Sequence, residues 1–150
     1  MNLGFASDHR GFKLKEELKE YFKKEGYNII DCGTNSNSSC DYPDYAYKLG
    51  EKINNKEVDF GIAICGSGIG ISIALNKIKG IYCAKVNNLD EVRFTRMDNN
   101  ANCLSFSSNT SLKYAIDFVK LFINTEFSNL ERHKRRIEKV KEIENGTYHD

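Results

Sequence analysis

The sequence predicts a single α/β domain over residues 1–150, a three-layer sandwich with one five-stranded parallel sheet between helices on both faces. Short apolar runs alternate with stretches of helical period along the whole chain, the pattern of parallel strands joined by helical crossovers. The length of 150 residues suits one core of ordinary size. At the centre, Val58 to Ala74 reads VDFGIAICGSGIGISIA. This is a buried apolar strand, a glycine-rich turn and the start of a helix.

Each element follows from local pattern. Asn2 to Ser7 is a short strand. In Lys13 to Lys24, Leu14, Leu18, Tyr21 and Phe22 share one helical face, and Gly26 is a C-terminal stop. Tyr27 to Cys32 is the second strand, and the polar run 33–40 (GTNSNSSC) a loop. Pro43 stands where a helix can begin, with Ala46, Leu49 and Ile53 on one face. Val58 to Ile64 is the third strand, continued past the turn by a helix with Ile71, Ile73, Ala74 and Ile78 as buried positions. Ile81 to Val86 is the fourth strand, Leu89 to Met97 a helix, and Asn102 to Phe106 the fifth strand. Leu112, Ala115, Ile116, Val119 and Ile123 mark a further helix. Ser128 and Glu131 have the spacing of a capping box for a last helix ending near Glu144. The 145–150 tail reads as a polar, weakly structured end.

Bulk composition removes whole classes of function. With 22 basic and 21 acidic residues the formal charge is +1, so no global field calls for nucleic acid or an anionic membrane. No apolar stretch approaches the ~18 residues of a membrane span. The N-terminus shows no basic start followed by an apolar core, which predicts a cytoplasmic protein. The five cysteines, at 32, 40, 65, 83 and 103, are scattered and unpaired in spacing. They read as free thiols, with neither a disulfide framework nor a metal site expected.

Open parallel sheets bind ligands beyond the carboxyl ends of their strands. That rule draws Asp8-His9, Cys65-Gly66 and the 87–99 segment toward one edge. Cys65 precedes Gly66, Gly68 and Gly70 at a helix start, where free N–H groups favour an anion and a thiolate. The turn is not a dinucleotide fingerprint: Ile71 occupies the last glycine position, and Lys85-Val86 offers no acid for a ribose. A purely structural turn is the alternative. Asp8 alone would serve as a helix cap beside a surface histidine. Arg132 and Arg136 project from one helix face at i, i+4 spacing. They form either a phosphate clamp or a solvated basic face balanced by Glu138, Glu142 and Glu144. Asp98 to Asn102 (DNNAN) suits either a turn or hydroxyl recognition.

Taken together, SDHRGFKLK (7–15), DCGT (31–34), DYPDYA (41–46), GIAICGSGIGISIALNKIKGI (61–81), RMDNNANCLSF (96–106) and the arginine pair of ERHKRR (131–136) resemble the ribose-5-phosphate isomerase B family, which includes the galactose-6-phosphate isomerase subunits. The resemblance runs from about residue 2 to 144. It implies a Rossmann-like sandwich and a cofactor-free, metal-free aldose–ketose isomerase acting on a phosphorylated sugar through a cis-enediolate. Cys65 matches the family's base. The Gly66, Gly68 and Gly70 turn would hold the enediolate oxygen, and Ser67 would assist proton movement between O1 and O2. Asp8 and Tyr42 match sugar-contacting positions, Asn99 a hydroxyl-binding one, and His9, Arg132 and Arg136 the phosphate-binding set. The resemblance also implies a homodimer or tetramer with sites at the subunit interface, to which the helix 128–144 contributes. Two departures stand out. Asp98 replaces the histidine that many members use for ring opening, and Asn109 replaces an arginine near the phosphate. Ribose 5-phosphate is the first expectation. A six-carbon sugar phosphate such as allose 6-phosphate or galactose 6-phosphate, or an inactive sugar-phosphate-binding regulator, is the alternative.

Overall fold

A computed structural model describes residues 1–150. The elements in chain order are β1 (Asn2–Ser7), α1 (Phe12–Lys24), β2 (Asn28–Asp31), α2 (Tyr42–Asn54), β3 (Phe60–Cys65), α3 (Ile69–Asn76), β4 (Cys83–Lys85), α4 (Leu89–Met97), β5 (Cys103–Ser107), α5 (Leu112–Asn124) and α6 (Glu131–Asn145). The five strands are all parallel, in the order β2-β1-β3-β5-β4. The predicted sandwich is therefore the observed architecture.

Alternation along the central strands divides the core in two. Leu3, Phe5, Ile62, Ile64, Leu104 and Phe106 pack against α1, α4 and α5 on one face. Ala6, Ala63, Cys65 and Cys103 pack against α2 and α3 on the other. Successive strand residues point to opposite faces, so β1, β3 and β5, covered on both sides, read as nearly continuous apolar runs. Burial pushes the Cys32 thiol up to about 11, helped by the neighbouring Asp31 charge, which fits an inert core thiol.

Three local expectations are corrected. Ile73 is exposed, and so is Ile69, while Ile71 and Leu75 are buried. Residues four apart share a helix face, so of the pairs Ile69/Ile73 and Ile71/Leu75 only one can meet the sheet. The predicted capping box does not form. Helix α6 begins at Glu131 after Leu130, and the Ser128 hydroxyl instead accepts from the Leu130 N–H (3.3 Å) and lies 2.9 Å from His133 Nδ1. Two of the three glutamates offered as partners in the alternative reading of the basic run are engaged elsewhere. Glu144 accepts from Tyr82 Oη and the Gly80 N–H (both 2.9 Å), and Glu138 faces Lys141 at 3.9 Å.

Two buried cations tie the layers together. Arg96 lies 4.9 Å from the Phe60 ring centroid and 5.8 Å from that of Phe122. It donates to the carbonyls of Ala101 (2.6 Å) and Thr125 (3.0 Å) and to Asn100 Oδ1 (2.9 Å). Lys15, fully buried, joins α1 to the end of β2 by contacts of 2.8 Å to both Asp31 and Glu16, and Lys19 completes the group.

For Asp31, burial alone would raise the carboxyl, but hydrogen bonds from Lys15, Lys19 and the Gly33 N–H outweigh it and hold it below the usual range. Glu16 is held low by the same two lysines against the effect of its own burial. Both folded-state values lie below the unfolded ones. Their contribution is therefore complete above about pH 5 and is lost as the pH falls through the lowered values. Lys15→Met should cost about 3 kcal/mol at neutral pH, because it strips one partner from a buried ion pair. Urea unfolding from pH 7 to pH 3 should show a shallower acid slope for the variant than for the parent. Equal slopes would mean that the pair contributes nothing to acid sensitivity.

Candidate active site

Cys65 ends β3, and the following turn is held in place from β5. Ser107 Oγ donates to the Gly66 carbonyl (2.7 Å) and Ser105 Oγ to the Gly68 carbonyl (3.0 Å). These two serines escaped the sequence reading. Their only signal is the alternate spacing with Cys103 along β5, which puts all three on one face of the sheet. Gly68 adopts φ +79°, and a Cβ there would lie 2.6 Å from the Phe106 carbonyl carbon. Both the left-handed backbone and the close approach require glycine.

The nest is partly filled from within. The Gly68 N–H donates to Cys65 Sγ at 3.2 Å, and the Ile69 N–H to Ser67 Oγ at 3.0 Å. The N–H groups of Gly66, Ser67 and Gly70 make no hydrogen bond within the chain. The turn therefore offers a sulfur with a backbone donor already aimed at it, which a thiolate accepts more strongly than a thiol does. Beside it stand unpaired donors suited to an anionic oxygen.

Side chains from β1 and α2 surround this turn. Asp8 is buried, and its Oδ1 accepts from the N–H groups of Arg10 (3.0 Å) and Gly11 (3.1 Å). Asp8 thus closes a turn ahead of α1 at the same edge as Cys65, while the helix itself starts after Gly11 with no side-chain cap, so the capping role considered from sequence is not the one observed. His9 Nδ1 accepts from the Cys40 N–H at 3.3 Å, with the Cys40 sulfur 3.9 Å away. That bond leaves Nε2 as the protonated, outward nitrogen of the neutral ring. The Tyr42 ring lies against Gly70, where an added Cβ would sit 2.7 Å from Cζ and 3.0 Å from Oη. Asp8, His9, Tyr42, Cys65, Ser67 and the three glycines thus meet at the carboxyl ends of the strands.

The remaining candidates lie at the opposite edge: the 87–99 segment starts at the carboxyl edge, where Asn87 and Asn88 stand beside Ser107 and Asn109, but its far end does not converge there. Nine residues of α4 carry the chain about 13 Å back along the sheet. Asn102 then accepts from the Gly61 N–H at 3.0 Å, at the start of β3. From there to Cys65 the strand rises about 13 Å. Asp98 and Asn99 belong to this far edge. So does α6: His133 Nε2 lies 3.6 Å from Asp98 Oδ1, and the Met97 carbonyl accepts from the Ser128 N–H at 3.1 Å. Arg132 and Arg136 are exposed beside His133, with no carboxylate within 4.0 Å. The predicted set is therefore split into two groups at opposite ends of one chain. His133, buried within the basic run, is a further member that the sequence reading passed over.

No group of three or more His, Cys, Asp or Glu side chains is arranged to hold a metal ion. No helix is long and apolar enough to cross a membrane.

The chain is similar to proteins of known family along nearly all of its length. Ribose-5-phosphate isomerase B of Escherichia coli is 36% identical over 143 residues, covering 95% of each chain. The solved structure of Clostridium thermocellum ribose-5-phosphate isomerase B superposes with a TM-score of 0.94 at 43% identity, over 97% of this chain and 99% of that one. The structure of the Mycoplasma genitalium ribose-5-phosphate isomerase B with bound ribulose-5-phosphate superposes with a TM-score of 0.89 at 37% identity, over 96% of both. The family described as ribose/galactose isomerase matches residues 3–140. With this coverage and the thiol-bearing turn in place, the chain belongs to the ribose/galactose isomerase family.

Proposed function

We propose that this sugar-phosphate isomerase interconverts ribose 5-phosphate and ribulose 5-phosphate through a cis-enediolate, with Cys65 as the base. The observation that carries the reading is the Cys65 turn, in which a sulfur held by the Gly68 N–H stands beside the free N–H groups of Gly66, Ser67 and Gly70. In the open-chain aldose the thiolate removes the C2 proton. The C1 carbonyl oxygen takes up the charge, and the free N–H groups of Ser67 and Gly70 hold it. Ser67 Oγ relays a proton from O2 to O1. The Cys65 thiol then returns its proton to C1, leaving the carbonyl at C2. Atoms balance with no oxidant and no cofactor.

Asp8 and Tyr42 hold sugar hydroxyls on this side, and His9 Nε2 faces the phosphoryl group. Asp98 with its neighbour His133 exchanges the ring-opening proton, Asn99 binds a hydroxyl, and Arg132 and Arg136 hold the phosphate. Because these last five lie at the far edge of the chain, the reading requires a homodimer in which one protomer's α6 edge faces its partner's Cys65 edge. Exposed apolar side chains support such an assembly: Ile69 and Ile73 beside the turn, and Val140 and Ile143 on α6.

Ketose formation from ribose 5-phosphate tests the reaction, with allose 6-phosphate and galactose 6-phosphate run alongside, since selectivity is a ratio of kcat/KM values. Cys65→Ala should lower kcat by ~10²–10⁴-fold while phosphate binding persists. Retention of most of the activity would remove Cys65 as the base.

A shared site makes a second prediction. Cys65→Ala and Arg136→Ala proteins, assayed at substrate well below the raised KM of the arginine variant so that each alone is nearly inactive, should recover about a quarter of parental activity when unfolded and refolded together. Half the dimers are then mixed, and each mixed dimer holds one intact site and one doubly defective one. No recovery above the separate proteins would place the whole site within one chain.

Asp98→Asn should slow turnover of the cyclic sugar phosphate more than that of substrate supplied in the open-chain form, because an amide cannot exchange the ring-opening proton. Equal rates for variant and parent would leave Asp98 with only its contact to His133.

A further inference from the structure

We infer that Arg10 is a specificity-determining residue that binds the phosphoryl group of the substrate from the Cys65 side of the site. This rests on the isomerase reading above and extends it to a residue outside the set that the resemblance implies.

The Arg10 side chain lies flat against Gly66, the residue that follows Cys65. A Cβ built on Gly66 would meet Arg10 Cδ at 2.9 Å, Nη1 at 3.3 Å and Nε at 3.8 Å. The main chain of Arg10 is fixed, its N–H held by Asp8 Oδ1 at 3.0 Å. The neighbouring Gly11 is wedged against β3, where a Cβ would lie 2.6 Å from the Ile64 carbonyl oxygen. The guanidinium itself has no carboxylate within 4.0 Å. A permanent cation thus lies against the catalytic turn, exposed and without an ion-pair partner within 4.0 Å.

Its position along the turn selects the end of the substrate it meets. The Cys65 side chain packs on the α2–α3 face, its sulfur engaged by Gly68, and Tyr42 covers Gly70. The reacting carbons therefore lie over Gly68–Gly70. Arg10 approaches from the α1 side and covers the other end of the turn, at Gly66. There the Ser107 and Ser108 hydroxyls reach the Gly66 carbonyl at 2.7 and 3.5 Å. In an aldose 5-phosphate the phosphoryl group is the part farthest from C1 and C2. A guanidinium matches it by paired N–H···O bonds, and His9, next in the chain, presents its Nε2–H alongside.

Arg10→Met keeps the aliphatic packing on Gly66 and removes only the charged fork. For ribose 5-phosphate we expect KM to rise about 10- to 100-fold, as for a lost hydrogen bond to a charged group, with kcat changed less than about threefold. Competitive inhibition by inorganic phosphate should weaken in parallel, and Arg10→Lys should recover part of both. Unchanged KM and phosphate inhibition in Arg10→Met would overturn the assignment, leaving Arg10 a packing residue. A fall in kcat at constant KM would overturn it too, by moving Arg10 to the reacting end. If the parent converts no sugar phosphate, the isomerase reading fails on its own. Calorimetric titration with inorganic phosphate then still decides Arg10: binding lost in Arg10→Met upholds the site, and equal binding overturns it.

Discussion

Every connection in this molecule obeys one constraint: neighbouring strands are parallel, so the chain must return the full length of the sheet before each new strand. The four crossovers follow from it, as does the two-sided core. It also separates the chain into two chemically distinct edges. The carboxyl ends of β1 and β3 gather Asp8, His9 and Cys65. The amino ends of β4 and β5 gather Asp98, Asn99 and, through the Asp98–His133 and Glu144–Tyr82 contacts, the whole of α6. Within one protomer the two sets lie at opposite ends of the sheet.

At the carboxyl edge, precision comes from β5 rather than from the turn's own sequence. Ser105 and Ser107 fix the carbonyls of Gly68 and Gly66, and the Phe106 backbone closes against Gly68. The turn's carbonyls are thereby committed to β5, while the N–H groups of Gly66, Ser67 and Gly70 stay open toward the ligand side. Such fixed donors need no rearrangement when charge develops on a bound oxygen, which is how preorganised backbone groups stabilise an anion.

At the amino edge the same economy holds on a larger scale. Arg96, stacked between Phe60 and Phe122, satisfies the carbonyls of Ala101 and Thr125. It thereby fixes both the DNNAN segment and the exit from α5. Helix α6 packs little of its surface on its own protomer, His133 alone being buried. Its Arg132 and Arg136 have no carboxylate within 4.0 Å, while Glu144 is bound to Tyr82 and Gly80 and Glu138 faces Lys141. Burial and the Glu144 hydrogen bond push the Tyr82 hydroxyl up to about 12, so that anchor stays protonated throughout the neutral range.

The sequence by itself determined the fold class, the order of the elements and the family, because hydrophobic period and the glycine-rich turn are local signals. Cys65, Asp8 and His9 were legible as one group for the same reason: the carboxyl-edge rule applies to strands whose limits are visible in the pattern, whereas Tyr42 joined them only through the resemblance. What only the tertiary structure decided depends on distance through space. The return of α4 removed Asp98 and Asn99 from that group, and the contact with Asp98 added His133. Which isoleucines of α3 face solvent depends on helix phase, which alternation alone does not set. The approach of Arg10 to Gly66 joins residues 56 positions apart across two strands. No local pattern encodes such a contact, because it arises only when β1 and β3 pair in register.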